Sequence, residues 1–453
     1  MTVTDLTRQR AAGAARAGAA RRVPPLQRPL ASYHLLLGAT LLLVALGLVM
    51  VFSASSVRAY DTFGSSFSIA LKQGIFVALS LPLMFVASRM PVRFWRMAGY
   101  PALILAVLLL MVVLIPTVGR GVDGSTRWIP LPGGFNVQPS ELAKLALALW
   151  GADLLVRKQK LLSDPKHLFV PLLPVAGLVM LLIMLEPDLG TTLATTAVVL
   201  ALLWTVGTPF RWFLPFLGVL VVGAAFLAVS APYRLARLAS FIDPCSPEHR
   251  LAGGYQACQG LQALGSGGPF GLGLGASREK WAGGLPNAHT DYVFAIIGEE
   301  LGLLGTLSVL ILFAVLAYSG VRIAQRATDP FVRLVAASLT AWLAAQAVIN
   351  LGAVVGLLPI TGIPLPLVSF GGSSMIATML AIGIMLSFAR LEPGAPEALA
   401  ERRSAWRARL AVLPGVSGPA RPGKAAVATR PRAVRPAGDP AGRRGPHSRP
   451  RRR

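Results

Sequence analysis

Apolar runs of about 20 residues recur along this chain, each long enough as a helix to cross a hydrocarbon layer roughly 30 Å thick. They read as spans at 32–53, 68–88, 97–115, 139–156, 168–185, 189–207, 211–230, 291–318, 332–356 and 368–389. Only 14% of the residues are charged and 54% are hydrophobic, where a soluble domain carries about a quarter charged. The loops give the orientation. Arg89, Arg93 and Arg96 follow the second span, Arg157, Lys158, Lys160 and Lys166 the fourth, and Arg211 the sixth, while Arg322, Arg326 and Arg333 surround the turn after the eighth. These even-numbered exits share a side with both basic tails, and an excess of Lys and Arg marks the cytoplasmic side. The expected fold is an all-α integral membrane protein with about ten transmembrane helices, both termini cytoplasmic, and a large extracytoplasmic loop between helices seven and eight.

The formal net charge of +24 follows the same logic. Its basic residues gather in tails and alternate loops, which is how a membrane protein sets its orientation and not how a nucleic-acid binder is built. The first 30 residues carry Arg8, Arg10, Arg16, Arg21, Arg22 and Arg28 but no apolar core. They make no cleavable signal peptide, so the first span is expected to act as an uncleaved anchor. From about 391 the chain is rich in Arg, Pro, Ala and Gly and ends Arg451-Arg452-Arg453. Such a composition cannot bury enough apolar surface to fold alone and is expected to be disordered. Attraction to anionic membrane lipids, at about 1 kcal/mol per basic residue, and the base composition of a GC-rich genome explain it equally well. The organisation expected is a basic cytoplasmic tail at 1–31, a ten-helix membrane domain at 32–390, and a disordered cytoplasmic tail at 391–453.

Charges inside or at the rim of a membrane are costly and mark function by default. The segments 116–138, 186–188 and 231–290 lie on the outer side, and loops of such length usually carry function. Pro286-Asn287-Ala288-His289-Thr290-Asp291 meets the eighth span, with Gly298-Glu299-Glu300 below it. Thr290 or Asp291 capping the helix is as good a reading of this string as chemistry. His289 has no HExxH-like spacing and is read as bonding locally. Arg127-Trp128-Ile129 precedes Gln138-Pro139-Ser140-Glu141, a helix-start signature. Glu141 and Lys144 are three apart on one face, so an ion pair competes with a role for Lys144 in holding an anionic lipid group. Glu186-Pro187-Asp188 reads as a solvated turn. Between Asn350 and Ser374 the density of Gly and Pro breaks any helix, and exposed backbone at membrane depth is tolerated where it lines a polar cavity. The run Gly265-Ser266-Gly267-Gly268 with Gly271, Gly273 and Gly275 lacks a GK[ST] ending, so it reads as flexible loop backbone approaching a ligand closely. Arg278, Glu279 and Lys280 follow it.

Taken in order, Gln138-Pro139-Ser140-Glu141, Gly275-Ala276-Ser277-Arg278-Glu279-Lys280-Trp281, Ala288-His289-Thr290-Asp291, Gly298-Glu299-Glu300-Leu301-Gly302 and the stretch ending Gly371-Gly372-Ser373-Ser374 resemble the SEDS family (shape, elongation, division and sporulation) across about 32–390. The wording Leu285-Pro286-Asn287-Ala288-His289 and the basic tail look more similar to its cell-division branch than to its elongation branch. The resemblance implies a peptidoglycan glycosyltransferase of the inner membrane at the division septum. It implies lipid II as substrate, a class B penicillin-binding protein transpeptidase as partner alongside other division proteins, and an essential aspartate at Asp291. The family commonly has Gln where this chain has Glu186, which leaves the role of that position open.

On this reading Asp291 is the general base that takes the acceptor hydroxyl's proton, worth about 10²–10⁴-fold in rate. Attack displaces a lipid diphosphate in one inverting step. Positive charge for the leaving group comes from Arg127, Lys144, Arg278 or Lys280, or from a divalent cation such as Mg or Mn, although no metal-ligand set is legible. Glu141, His289, Ser369 and Ser373 complete the expected substrate-binding set. A lipid II flippase and a non-catalytic division scaffold are the rival readings. Cys245 and Cys258 form no CxxC motif, and both fall in the long outer loop, where an oxidising compartment permits a disulfide between them.

Overall fold

The computed structural model describes residues 28–401 and 404, apart from 123–124, 133–134, 162–164, 214–217, 219–240, 242, 250–253 and 282–283. The expected seventh span, 211–230, falls largely outside the described residues, as do most of both basic tails. The chain divides into two units, Met1–Ala400 and Glu401–Arg453, and every element named below belongs to the first.

Its helices are α1 (Ala31–Phe63), α2 (Ser68–Ala87), α3 (Val92–Val113), α4 (Pro139–Arg157), α5 (Pro165–Leu185), α6 (Leu189–Val206), α7 (Tyr255–Ser266), α8 (Val293–Arg326), α9 (Pro330–Val354) and α10 (Gly372–Ala389). Seven of them, α1, α2, α3, α6, α8, α9 and α10, are long and apolar enough to cross a membrane. Helix α4 spans 19 residues but carries Glu141, Lys144, Asp153 and Arg157. Local chemistry sets the boundaries. Asp188 caps α6 by accepting from the Thr191 N–H, and Asp329 caps α9 by accepting from the Phe331 N–H, with Pro330 following it. Gly64 and Gly207 end α1 and α6 in left-handed conformation.

Helix α10 is buried along nearly its whole length and packs against α2, while α8 packs on α1 and α9, α9 on α6, and α3 on α4. The outer faces of the peripheral helices present Leu42, Leu71, Ile104 and Leu303, all more than half exposed. That pattern suits a bundle whose surrounding solvent is lipid, where apolar faces cost nothing.

The fold departs from the sequence reading in three places. An antiparallel sheet interrupts the all-helical expectation at 116–138: β1 (Arg120–Val122) pairs with β2 (Ser125–Leu131), and β2 with β3 (Phe135–Val137). Asp123-Gly124 and Pro132-Gly133-Gly134 separate the paired residues, and both are hairpin signals that a 20-residue apolar window passes over. Helix α1 runs ten residues past the expected end at 53, and α8 eight past 318. After Arg390 the chain stays on the bundle, with Glu392 buried and paired to Arg326 at 3.2 Å.

Helix α8 is broken at Gly302, whose φ of 66° and ψ of −157° only glycine adopts readily. A broken helix leaves carbonyls and N–H groups without partners. The loop at 267–273 supplies them: Leu272 and Gly273 donate to the carbonyls of Glu299 and Glu300 (2.9 and 3.0 Å), and Gly268 and Pro269 accept from Leu303 and Leu304 (2.9 and 3.3 Å). The glycine-rich run therefore approaches the α8 backbone closely. Below the splice, both carboxylates of the Glu pair are enclosed. Ser53 of α1 donates to Glu300 (2.6 Å), Ser277 to Glu299 (2.6 Å), and Lys280 pairs with Glu300 at 3.5 Å.

Candidate functional site

The stretch between α9 and α10 is non-helical, as its Gly and Pro content requires, and polar side chains from the bundle hold it. Asn350 donates to the carbonyls of Asp291 and Ile363, both at 2.8 Å. Gln73 donates to the Ser369 carbonyl and accepts from the Gly371 N–H (3.2 and 3.3 Å). Phe370 donates its N–H to the His289 carbonyl at 2.9 Å. One asparagine thus fixes the start of α8 to the broken segment.

Where these pieces meet there is a cleft of about 140 Å³, lined by Arg127, Gln138, Glu141, Thr191, Asp291 and Ser374 among others. Asp291 is half-buried at its edge. Helix α8 begins at Val293, and its N-cap residue, Tyr292, makes no side-chain cap. Gly362, at φ 70°, lies near both charged groups: a methyl in place of its hydrogen would stand 3.7 Å from Arg127 Nη2 and 3.8 Å from Asp291 Oδ2. Those are ordinary contact distances, so it is the left-handed φ that favours glycine there.

Strand β2 brings Arg127 to this position and Asp188 secures it. The buried Asp188 carboxylate accepts from Arg127 Nη1 (3.1 Å), Gln138 Nε2 (3.1 Å), the Thr191 N–H (3.0 Å) and the Thr191 hydroxyl (2.8 Å). This corrects the solvated-turn reading of Glu186 and Asp188, since both are buried. A turn's exposure depends on what folds over it, and here the site does. Glu186 has no hydrogen-bond partner among the described residues, and burial, followed by the Asp188 charge, pushes its pKa up to about 9.

The other expected site residues separate. Lys144 is fully enclosed: it pairs with Glu141 (2.8 Å), donates to Gln346 Oε1 (3.1 Å) and faces the Trp342 ring at 4.7 Å. The ion-pair reading is the right one, and Lys144 positions Glu141 at the cleft without reaching the cleft itself. Ser369 and Ser373 brace backbone, accepting from the N–H groups of Leu365 (2.9 Å) and Gln138 (3.1 Å). Arg278 is exposed and contributes its backbone N–H to Glu299 at 2.8 Å. Lys280 and His289 line a different cleft, together with Arg58 and Asp61 of α1. His289 is enclosed beside Phe370, and burial, then the Arg58 charge, lowers its pKa to about 4, so its ring is neutral near pH 7. Asp188, Asn350 and Ser374 fall in strings named from the sequence but were not assigned to the site, and Thr191 was not named. Polar residues within apolar spans were the one signal that pointed to Asn350.

Two carboxylates, Glu141 and Asp291, line the first cleft, and these are the oxygens a divalent ion accompanying a diphosphate would meet. Among the described residues no group of three or more His, Cys, Asp or Glu is placed to hold a metal. What the cleft offers is the half-buried Asp291 carboxyl group and an arginine in one lining, on a wall of fixed backbone.

Fold and site together define a polytopic helical membrane protein with a charged cleft at one end of its bundle, built on a re-entrant segment. A family model described as Cell cycle protein, covering FtsW, RodA and SpoVE, matches residues 33–392, and the chain belongs to this family. The Mycobacterium tuberculosis protein described as probable peptidoglycan glycosyltransferase FtsW is 45% identical over 389 residues, 86% of this chain and 74% of that protein. Stage V sporulation protein E of Bacillus subtilis is 40% identical over 352 residues, covering 78% and 95%. Among solved structures, a chain of a peptidoglycan synthase complex coordinating polymerization and crosslinking superposes with a TM-score of 0.64 at 29% identity, covering 79% of this chain and 98% of that one. The rod shape determining protein RodA of Thermus thermophilus gives 0.56 at 28% identity, covering 79% and 96%. The FtsW relatives agree with the resemblance to the cell-division branch.

Proposed function

We propose that this chain is a septal peptidoglycan glycosyltransferase that joins lipid II units into glycan strands on the outer face of the inner membrane, working with a class B penicillin-binding protein transpeptidase. The observation that carries this reading is that Asp291 and Arg127 line one cleft, both close to Gly362. A sugar hydroxyl is a poor nucleophile at neutral pH. Asp291 takes its proton as the oxygen attacks the anomeric carbon, and the bond from that carbon to the lipid diphosphate breaks with inversion. The diphosphate leaves as an anion and needs a cation more than a proton donor. Arg127 supplies it, and Asp188 keeps the guanidinium from rotating away, so the charge is in place before the reaction begins.

The same reading places ten spans across the membrane with both ends cytoplasmic. The relatives named as glycosyltransferases support the activity, and the synthase complex supports the partner. Asp291→Asn, assembled with the transpeptidase in vesicles containing purified lipid II on the outer leaflet, is expected to lose strand synthesis by about 10²–10⁴-fold. Undiminished synthesis would sink the base assignment. Absence of any synthesis by the unaltered complex would favour a flippase or a scaffold.

A further inference from the structure

Two clefts flank one stretch of backbone. Asn287 stands at φ 55°, a left-handed conformation that Asn tolerates better than most residues. Around it the side chains divide between two clefts, and Asn287 touches both, since its Oδ1 accepts from Arg58 Nη1 at 3.5 Å. Asn287, Thr290 and Asp291 line the cleft that holds Arg127, whereas Pro286, Ala288 and His289 line a second cleft of about 330 Å³. The far wall of the second cleft is the extension of α1, where Ala54, Val57, Arg58 and Asp61 follow the i, i+3, i+4, i+7 spacing of one helix face. Its cations are Arg58, which is exposed, and Lys280, which Glu300 holds at 3.5 Å. Asp61 is the acid among its lining residues, and Trp281, 63% exposed, presents an aromatic face beside them.

A transfer between two lipid-linked disaccharide diphosphates needs two seats for anions, because both substrates carry a diphosphate. The seats cannot be adjacent. The donor's diphosphate is bonded to the reacting anomeric carbon, so it must lie beside Asp291, where Arg127 stands. The acceptor reacts through a hydroxyl of its distal sugar, so its own diphosphate lies one disaccharide's length from Asp291. The geometry points to the second cleft as the acceptor's seat, with Arg58 and Lys280 on its diphosphate and Trp281 against its sugars.

This assignment rests on the transferase reading above and adds the direction in which the substrates lie. The acceptor's distal sugar crosses the Asn287–Asp291 turn to reach the carboxylate. There the new bond from its oxygen to the donor's anomeric carbon forms, its proton passes to Asp291, and the donor's lipid diphosphate departs from the Arg127 side. No bond breaks in the second cleft.

The test gives the full-length protein, assembled with its transpeptidase in neutral phosphatidylcholine vesicles, two substrates varied independently. One is labelled lipid II whose distal acceptor hydroxyl is methylated, so that it can only donate. The other is an unlabelled lipid II analogue whose anomeric oxygen is replaced by a methylene, so that it can only accept. Arg58→Gln is expected to raise the KM for the acceptor about tenfold and to leave that for the blocked donor within about twofold, as loss of one charge-assisted contact predicts. Arg58→Lys, which keeps the charge, is expected to restore most of the acceptor affinity. Equal effects on both substrates, or none, would overturn the assignment. So would a defect seen only when anionic phosphatidylglycerol is added, which would assign Arg58 to lipid headgroups. Failure of the unaltered protein to couple any label would instead remove the transferase reading itself.

Discussion

Glu186 is a carboxylic acid held in its neutral form. Neither of its oxygens has a hydrogen-bond partner among the described residues, and Asp188 next to it is committed to Arg127, Gln138 and Thr191. The unfolded chain releases this proton near 4.5 and the folded chain near 9. Between those values the folded state holds the extra proton, so this residue's contribution to stability is full below 4.5 and is lost as pH rises through 9. Glutamine has almost the same shape and cannot ionise. Glu186→Gln is therefore expected to stabilise the protein at pH 8 by on the order of 1–3 kcal/mol and to flatten the fall in thermal unfolding temperature toward alkaline pH. A variant that melts lower at every pH would show Glu186 to be ionised and paired. The SEDS resemblance, with Gln commonly at this position, fits a neutral side chain. The carboxylates and cations of the first cleft were legible in the sequence because a charge beside an apolar run is conspicuous and costly. Asp188 was missed because its burial comes from a strand some 60 residues earlier, and nothing in the turn itself reports it.

Among the elements, α8 and its loop form one unit although the chain separates them by a turn and a polar segment. The apolar periodicity gave a single uninterrupted span at 291–318, since one glycine in an apolar run is no break signal. The break becomes readable only when the loop at 267–273 is seen to complete both halves. Adding a methyl at Gly302 would force a left-handed conformation on alanine and bring it against the backbone of Gly268, Pro269 and Gly271. Gly302→Ala is expected to cost about 1–3 kcal/mol or more. Amide hydrogen exchange checks the cause: the N–H groups of Leu272 and Gly273 should lose protection before those of α9 do. Uniform loss throughout the bundle would mean that the splice is not a separate unit. The extension of α1 was similarly invisible, because a membrane-length window ends where lipid ends and a helix has no reason to do so. Arg58 lies in that extension, and so the second cleft could not have been drawn from the sequence.

Across the whole molecule, the charges sort to two ends. Arg96 at the start of α3, Asp153 and Arg157 near the end of α4, and Asp329 before α9 join in one network (2.6 to 3.4 Å). These are residues that the count of basic loops assigns to the cytoplasmic side. Arg127, Asp188 and Asp291 gather instead at the first cleft, on loops that the same count assigns to the outer side. The ends also differ chemically. Cys245 and Cys258, with Cα atoms 5.0 Å apart, are joined by a disulfide on the segment that leads to the second cleft. A bridge across a separation of 13 residues stabilises by about 3 kcal/mol in the chain-entropy account, and it persists only in an oxidising compartment. In intact cells a thiol-alkylating reagent is therefore expected to modify neither cysteine until a reductant is added, after which both react. Labelling without reductant would place this end of the bundle in the cytoplasm. The two substrates would then face a compartment in which Asp291 has no glycan strand to build.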